Sequence, residues 1–360
     1  MEFYILDTEL NIISIIDTFK SAIWTTRYFE SGDFELYIAA TEKMLNTLKK
    51  DYYVVKTDDT EKCMIIENIQ LSTDIEEGNY LIVTGRSLSS VLNRRILIGT
   101  PTGINQYYPV TVSGTVEECI RQLVEKNTIS PNGGGARKIP FMELGEKINI
   151  TTEMEAQYTG TNLEETIQEI CKTYGIGYDV KLDLTNKKFL FTLLQGTDRS
   201  YNQTNNSYVI FSNEFENLLT SKYTFNNQNI KNCAYIAGEG EGMERKWYKI
   251  SLENSNFMNR RELFVDARDL STNDGKISDN EYLNLLAQRG IEKISEYKVT
   301  ESIEGEAEPN GNFIFEKDYF LGDIVEVINE YGLEMTPRIT EVIESEDDTG
   351  HYIIPTFCNE

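Results

Sequence analysis

The strongest strand signal in the sequence is the stretch Ser31-Gly32-Asp33-Phe34-Glu35-Leu36-Tyr37-Ile38-Ala39. Its apolar residues Phe34, Leu36 and Ile38 stand at every second position, which is the period of a β-strand that buries one face. The Ser-Gly-Asp that precedes them has the residue types of a tight turn. The stretch therefore predicts a strand that leaves a turn and joins a sheet with one buried side.

Similar patterns extend toward both ends of the chain and predict a mainly β protein. The abundance of aromatic residues, 21 Tyr and 16 Phe, also favours strands. Before residue 100 the further predicted strands are Leu10–Ile16, Tyr52–Val55, Met64–Ile69 and Tyr80–Thr84. After residue 200 they are Tyr208–Phe211, Tyr223–Phe225, Ala234–Ala237, Lys246–Ser251, Glu262–Val265, Phe313–Phe315, Asp323–Ile328, Arg338–Glu344 and His351–Phe357.

Three capping boxes predict where the longer helices start, because each has Thr or Ser at the cap and Glu three residues later. They are Thr115–Glu118, Thr161–Glu164 and Ser278–Glu281. The first helix is expected to bury Leu123, and the second to stop at Gly175. The other predicted elements are short helices at Thr41–Lys49 and Ser87–Arg95, a hairpin of Tyr178–Leu184 and Phe189–Leu194, and an end of the third long helix at Tyr297.

The chain is strongly acidic, and this limits its partners. It has 59 acidic and 34 basic residues among 360, which gives a formal net charge of −25. A surface of this charge repels phosphates, so sequence-specific binding of nucleic acid is not expected. No run of apolar residues approaches the ~20 that a membrane-spanning helix needs, so stable membrane insertion is not expected either.

The cysteines indicate a protein made in a reducing cytoplasm. They lie far apart in sequence and form no C-x-x-C pair. We therefore expect reduced thiols rather than disulfides or a zinc site. The five are Cys63, Cys119, Cys171, Cys233 and Cys358.

Catalytic motifs are sparse. A nucleophile–histidine arrangement would have to use His351, the single histidine of the chain. The string Gly85-Arg86-Ser87-Leu88-Ser89 comes nearest to a G-x-S-x-G elbow but fails at its last position. We therefore interpret His351 as a polar residue at a strand start and assign no catalytic residue. Paired carboxylates for sugar hydrolysis stay open, because 59 acidic residues give many chance pairs.

Two strings imitate ligand-binding loops without supplying the ligands. From Asp274 to Glu281 the sequence has the spacing of the second half of a calcium loop, but Leu270 and Thr272 occupy the first and third positions, where carboxylates are needed. The glycines of Gly238-Glu239-Gly240-Glu241-Gly242 have the wrong spacing for a phosphate loop, and the glutamates would repel phosphate. We therefore expect no metal and no cofactor.

A set of strings distributed along nearly the whole chain carries a family resemblance. They are Trp24 with Arg27-Tyr28, Ser31–Leu36, Gly85–Arg95, Gly196–Ser200, Val209–Ser212, Glu214–Leu218, Ala237–Gly240, Asp318-Tyr319, Leu321–Val325 and Arg338–Val342. In this order they resemble the siphophage tail-hub family, known as Gp37-like or as the amino-terminal hub of tail-associated lysins.

The resemblance implies an α+β, mainly β fold with two tube-like β-barrel domains, inserted α+β domains and assembly into a trimeric ring. On this basis residues 1–100 are expected to form the first tube-like barrel, completed by 205–265, and 101–204 an inserted α+β domain. Residues 266–300 would be a helical connection. Residues 301–360 would supply strands of the second barrel, with part of the insertion as a candidate to complete it.

The implied function is that of a structural baseplate hub in the virion tail of a phage or phage-derived particle, assembled in the bacterial host cytoplasm. Such a hub caps the tail tube, adapts a sixfold tube to a threefold tip and guides the exit of DNA or the tape-measure protein. Its expected partners are two further copies, a distal tail or tail tube ring protein, the tape-measure protein and a tip or fibre protein. Many relatives carry a peptidoglycan hydrolase after the hub, and we expect none in a chain that stops at Glu360.

Two other functions stay open from the sequence. One is a peptidoglycan-degrading tail enzyme. The other is a tip protein that binds host carbohydrate, since some of the 21 tyrosines could stack on sugars.

Overall fold

A computed structural model describes residues 1–74, 78–103, 106–272, 275–308 and 311–359, and it divides into two compact units. Unit 1 comprises Met1–Ser90, Ile176–Thr224 and Glu301–Glu360, and unit 2 comprises Val91–Gly175 and Phe225–Thr300. The fold is mainly β with few helices, as the sequence predicts.

The strands of the first ninety residues are β1 (Phe3–Leu6), β2 (Ile12–Ile16), β3 (Ser21–Arg27), β4 (Asp33–Ala39), β5 (Tyr53–Lys56), β6 (Cys63–Asp74) and β7 (Gly78–Ser87). Those up to residue 194 are β8 (Pro101–Gly103), β9 (Gln106–Tyr107), β10 (Val110–Thr115), β11 (Met142–Leu144), β12 (Glu153–Tyr158), β13 (Gly177–Asp183) and β14 (Lys188–Leu194). The remaining strands are β15 (Ile210–Ser212), β16 (Lys222–Asn226), β17 (Cys233–Ala237), β18 (Trp247–Ser251), β19 (Glu262–Asp266), β20 (Thr300–Glu304), β21 (Glu326–Ile328), β22 (Glu334–Met335), β23 (Arg338–Asp347) and β24 (Gly350–Asn359).

The α-helices of the described residues are α1 (Glu42–Thr47), α2 (Val116–Val124), α3 (Leu163–Tyr174) and α4 (Asp279–Ser295). Short 3₁₀ helices lie at Leu88–Arg94, Gly135–Arg137, Gly242–Glu244 and Phe257–Asn259, and a π-helical turn continues α2 at Glu125–Ile129. Among these residues no helix is long and apolar enough to cross a bilayer.

The helix starts follow local capping chemistry. The boxes predicted at Thr115 and Ser278 are confirmed, with both reciprocal hydrogen bonds present. The cap predicted at Thr161 is wrong. Asn162 caps α3 instead, because its Oδ1 accepts from the backbone N–H groups of Glu164 and Glu165 at 2.9 and 3.3 Å. The predicted end of α3 at Gly175 is confirmed, since this glycine adopts the left-handed conformation with φ 66°.

Unit 1 is built around one continuous sheet of 11 strands in the order β16-β20-β24-β23-β3-β4-β7-β6-β5-β1-β2. The strands of the first ninety residues meet the C-terminal strands where β3 pairs antiparallel with β23. Unit 1 also contains the β13–β14 hairpin and a smaller sheet in the order β15-β21-β22. The described pairings thus give an open sheet, with β2 and β16 at its two ends.

The sheet of unit 1 carries two separate hydrophobic clusters. We call the first the N-terminal core, and its members lie between Phe3 and Val83, with Trp24 and Phe34 among the largest. We call the second the C-terminal core, and its members lie between Val209 and Phe357, with Phe211 and Tyr319 in edge-to-face contact at 5.1 Å. Each half of the sheet therefore has its own core.

Two predicted strand segments differ in the structure. Leu10 lies in a turn with φ 62° rather than in a strand, so β2 begins only at Ile12. The strand predicted at Phe313–Phe315 is wrong, and this stretch forms only an isolated bridge between Phe315 and Tyr319. Within residues 205–265, β15 pairs with β21, β16 pairs with β20 in the 11-stranded sheet, and β17 pairs with β18 and β19.

Unit 2 contains two helix–strand layers. In one, α2 packs on the antiparallel β10–β12 pair and also contacts α3. In the other, α4 packs on the sheet β18-β17-β19 through a cluster that includes Ile236, Tyr282 and Leu286. Leu123 of α2 is fully buried, as predicted. The cysteines are free thiols, four buried and Cys358 partly exposed, in agreement with the sequence.

Candidate functional site

The junction between the two halves of unit 1 is the best-defined polar site of the described residues. We call it the seam and define it as β3 together with β23, whose register runs from Ser21↔Asp347 to Arg27↔Glu341. Arg27 Nε donates to Glu341 Oε2 at 2.6 Å, and its Nη1 donates to Asp33 Oδ2 at 2.5 Å. The Met1 ammonium group forms an ion pair with Glu346. Carboxylates of β23 are therefore neutralised by cations from the first half of the sheet.

A buried ion pair lies at the centre of the seam. Lys56 Nζ donates to Glu344 Oε2 at 2.7 Å, and both side chains are almost fully buried. Glu344 Oε1 lies 3.5 Å from Lys62 Nζ, and Lys62 also pairs with Glu316. Burial disfavours the charged form of Lys62, but Glu344 and Glu316 outweigh it, so the pKa of Lys62 is raised. The charges of Lys56, Lys62 and Glu344 depend on one another, because all three side chains are largely buried.

Tyr28, directly after β3, connects the seam to two other segments of unit 1. Its side chain is completely buried, and its hydroxyl donates to the carbonyl of Leu194 at 3.0 Å while accepting from the N–H of Gly196 at 3.2 Å. Its backbone N–H donates to the carbonyl of Thr340, and its carbonyl accepts from the N–H of Tyr178, at 2.9 and 3.2 Å. One residue thus joins β3, the β13–β14 hairpin and β23.

Glycines form the walls around the Tyr28 ring. A Cβ at Gly322 would lie 2.2 Å from Tyr28 Cε2, and a Cβ at Gly177 would lie 2.4 Å from Tyr28 Cδ2. Gly322 also has φ +92°, a conformation that residues with a Cβ rarely adopt. Glycine is therefore required at these positions by close packing, and at Gly322 by backbone conformation as well.

Asp323 fixes the loop that carries Gly322. Its carboxylate accepts from Arg199 Nε at 2.6 Å, from the N–H of Thr197 at 2.7 Å and from the N–H of Phe320 at 3.0 Å. The strings Gly196–Ser200 and Leu321–Val325 thereby meet at Tyr28, although they are far apart in sequence. The sequence does not predict this convergence, because nothing local to either string identifies its partner.

A cavity of about 230 Å³ lies beside the seam, within unit 1. Its charged lining includes Arg27, Lys62, Lys181 and Asp179. Asp179 is partly buried, and burial raises its pKa, although hydrogen bonds from Ser89 Oγ at 2.9 Å and the Val180 N–H at 2.7 Å oppose the rise. The cavity is thus a small mixed-charge pocket with a serine–aspartate contact in its wall.

The residues considered for catalysis do not come together at this cavity. His351 lies exposed on β24, opposite Glu346 in the strand register, and it does not line the cavity. Gly85 lies in β7, where a Cβ would be 1.7 Å from the carbonyl oxygen of Ile65, and Arg86 forms a bidentate pair with Glu67 at 2.8 Å. Gly85 and Arg86 therefore serve strand packing, while Ser87 and Ser89 of the same string line the cavity without a histidine beside them.

The described residues offer no group of three metal ligands. In the calcium-like string, Asp274 lies outside the described residues, while Glu281 closes the capping box of α4 with Ser278. Glu239 accepts from the backbone N–H and the hydroxyl of Thr272 at 3.0 and 3.2 Å. Arg95 donates to the carbonyl groups of Arg94 and Arg137 at 2.8 and 2.6 Å. These polar groups stabilise loops of unit 2.

Comparison with known proteins adds family and fold information. A family model described as Siphovirus ReqiPepy6 Gp37-like protein matches residues 2–359. No curated protein matches the sequence. The 43 kDa tail protein of prophage MuSo2 from Shewanella oneidensis is similar in structure, with a TM-score of 0.58 and 15% identity over 99% of this chain and 98% of that one.

Two further solved structures are similar at comparable coverage. The tail protein from Neisseria meningitidis MC58 has a TM-score of 0.58 and 12% identity over 99% of this chain and 97% of that one. The prophage tail protein gp18 from Listeria monocytogenes EGD-e has a TM-score of 0.53 and 14% identity over 100% and 95%. At this identity the likeness shows a shared fold.

Proposed function

We propose that this chain, which belongs to the Siphovirus ReqiPepy6 Gp37-like family, is the structural hub at the tip of a phage tail. The family match confirms the resemblance predicted from the sequence. Family membership and the fold shared with prophage tail proteins identify a structural tail component, located in the virion tail. The hub role, the trimer and the absence of catalysis are the further steps of the proposal.

The observation that carries the hub role is the division of one sheet into two halves with separate cores. The N-terminal core belongs to β1–β7 and the C-terminal core to the strands from β15 onward that lie in unit 1. We interpret the halves as two tube-like modules joined by the seam. Three copies would then present six modules around an axis, which matches the symmetry of a sixfold tube.

This interpretation modifies the domain assignment expected from the sequence. The first tube-like module would comprise 1–90, and the second would comprise 197–224 with 301–359. Unit 2, with α2, α3 and α4, would be the inserted α+β part. The modules remain tied because Lys56, Arg27 and the N-terminus bind carboxylates of β23.

The charge of the chain supports a guiding role at the tube exit. A trimer would carry 3 × −25 = −75 formal charges. If part of this charge faces the lumen, phosphates are repelled, and DNA passes without binding. In this role the trimer would cap the tail tube, contact a distal tail or tail tube ring protein and the tape-measure protein, and carry a tip or fibre protein.

Labelling of native particles tests the position of the protein. Gold-conjugated antibodies against this chain should bind the end of the tail remote from the head. Label along the tube or at the head would contradict the hub proposal. Particles made without the chain should lack a closed tip, whereas normal tips that still inject DNA would exclude an essential hub.

A carbohydrate-binding tip is the second candidate, and one feature of unit 2 favours it. The exposed rings of Trp247 on β18 and Phe264 on β19 lie 6.0 Å apart, and Arg245 lies over both. Aromatic rings of this kind can stack on sugars. Binding to host cells that is competed by defined glycans and lost in Trp247→Ala would support this function.

A peptidoglycan-degrading enzyme is the remaining alternative, and the Ser89–Asp179 contact is the nearest approach to catalytic chemistry in the cavity. Incubation with purified cell walls tests it directly. Release of soluble sugar or peptide fragments, lost in Ser89→Ala, would establish an enzyme and overturn the non-catalytic proposal.

A further inference from the structure

The 11-stranded sheet of unit 1 ends in an unusually apolar edge strand. β2 reads Ile12-Ile13-Ser14-Ile15-Ile16 and contains no charged residue and no proline. Ile12, Ile13 and Ile15 are 49%, 45% and 51% exposed. The protein has 59 acidic and 34 basic residues, so the lack of charge in this strand is not a consequence of composition.

Such an edge is poorly protected against pairing with another chain. Soluble proteins usually shield edge strands with charges, prolines, bulges or covering segments. Of these, β2 has only an irregularity in its register with β1, between Ile5 and Leu6. An exposed, aliphatic strand with free backbone groups is suited to accept a neighbouring strand.

The other end of the same sheet has complementary chemistry. β16 begins at Lys222 and exposes Tyr223 and Phe225 by 41% and 55%. Lys222 Nζ donates to Glu304 at 3.1 Å, and the Tyr223 hydroxyl donates to Glu301 at 2.8 Å. These bonds hold the polar ends of both side chains within the sheet and leave the aromatic surface of the edge exposed.

We propose that β2 of one copy lies against β16 of the next copy, so that the sheets of neighbouring subunits join head to tail. This inference rests on the proposed hub function, because a contact between two different edges repeats from copy to copy and closes into a ring at the threefold rotation that the hub requires. Aliphatic and aromatic side chains form favourable cross-strand pairs. The occupant of the β2 edge is therefore a second copy of this chain.

Charge favours this contact over a symmetric one. Acidic residues flank β2 at both ends, with Glu9 before it and Asp17 after it, both exposed. Lys222, which already pairs with Glu304, would therefore lie near a second carboxylate whichever way the strands run. In an antiparallel contact between two β2 strands, Glu9 of one copy would approach Asp17 of the other, and like charges placed opposite each other are unfavourable.

Variants at each edge test the inference by sedimentation at about 100 µM, since assembly depends on protein concentration. Ile13→Lys with Ile15→Lys should weaken trimer formation by about a hundredfold, because two apolar anchors are replaced by charges. Tyr223→Lys with Phe225→Lys should do the same from the other edge. Ile291→Lys is the matched control, since Ile291 is 46% exposed but lies on α4 rather than on an edge strand.

Mixing the two edge variants gives the sharpest result. Each variant alone should be monomeric, while an equal mixture should form a dimer with one copy of each and stop there, because only one intact junction remains. Circular dichroism spectra matching the wild type would show that the variants fold. A trimeric wild type with trimeric edge variants would overturn the inference and leave the hub function standing. A monomeric wild type that also occurs singly in native particles would overturn both.

Discussion

Replacing Glu344 by Gln should destabilise unit 1 far more than the same change at Glu341. Both glutamates lie on β23 and pair with a cation of the first half of the sheet. The Glu344 side chain is 8% exposed and Lys56 is 4% exposed, so Glu344→Gln leaves a buried ammonium without a carboxylate. Breaking a buried pair in this way costs about 3–5 kcal/mol of unfolding free energy.

Glu341→Gln is the matched control. Its side chain is 24% exposed, and Arg27 keeps Asp33 as a second carboxylate at 2.5 Å. An ion pair that is partly exposed to solvent contributes about 0–1 kcal/mol to the free energy of unfolding. The difference between the two variants reports burial together with the second carboxylate that Arg27 keeps, because residue type and strand are the same.

Urea unfolding followed by tryptophan fluorescence measures the effect. Trp24 is buried in the N-terminal core and lies opposite Glu344 in the strand register, and Trp247→Phe removes the signal from unit 2. With a slope of about 2–3 kcal/mol per M, Glu344→Gln should lower the midpoint by roughly 1–2.5 M. Equal losses in the two variants, or a loss below about 1 kcal/mol in Glu344→Gln, would refute the role of the buried pair.

A double substitution distinguishes the contribution of the two charges from the contribution of the volume that their side chains fill. Lys56→Met with Glu344→Leu removes both charges and keeps apolar volume, while Lys62 retains Glu316. Such replacements are often neutral, so stability should return to within about 1–2 kcal/mol of the wild type. Failure to recover would indicate that Lys62 also depends on Glu344.

Three further predictions concern packing and protonation. Gly322→Ala should cost about 2–5 kcal/mol from backbone strain and the clash with Tyr28, whereas Gly332→Ala, at φ +75° with nothing within 4 Å of the added Cβ, should cost only about 1–2, as urea midpoints will report. Burial raises the pKa of Asp179, so the folded state holds this proton more tightly than the unfolded chain, and the contribution of Asp179 to stability should fall as pH rises from 3.8 toward the raised pKa. Asp179→Asn should flatten this dependence, and an unchanged slope in urea titrations over that range would contradict the assignment. Leu123→Asp places an unpaired charge at a fully buried position and should prevent folding, whereas Gln122→Asp on the exposed side of α2 should not; normal yield and an unchanged melting curve for Leu123→Asp would be the opposite result.

Elements with local signals could be predicted from the sequence. The capping boxes at Thr115 and Ser278 and the β13–β14 hairpin are confirmed because the residues that define them lie within a few positions of one another. The error at Thr161 is also local, since Asn162 supplies a better-placed acceptor one residue later. Local chemistry thus sets element starts to within about one residue.

The prediction of a strand at Phe313–Phe315 was wrong because tertiary packing determines the conformation of this segment. Alternating aromatic residues favour a strand, but here Phe313 and Phe315 pack against the C-terminal core from an irregular segment. Aromatic residues at every second position therefore also occur in a loop that packs two rings against a core. Periodicity reports which side chains are buried and does not report whether a neighbouring strand is available.

The seam could not be predicted from the sequence. Arg27 and Glu341 are separated by 314 positions, and no local pattern states that β3 and β23 are neighbours. Glu344 stands among residues that alternate as in an ordinary strand, and a glutamate is expected to face solvent. Its burial is explained by the ammonium groups of Lys56 and Lys62, which lie beside its carboxylate in the folded protein.

The arrangement of modules in the intact tail tip tests the central claim most directly. In a cryo-electron microscopy map of native particles, three copies should surround the tail axis, with β1–β7 of each copy alternating with the C-terminal strands of unit 1 to give six similar densities. A map with six copies or a single copy, or with the two halves stacked along the axis instead of around it, would contradict the account.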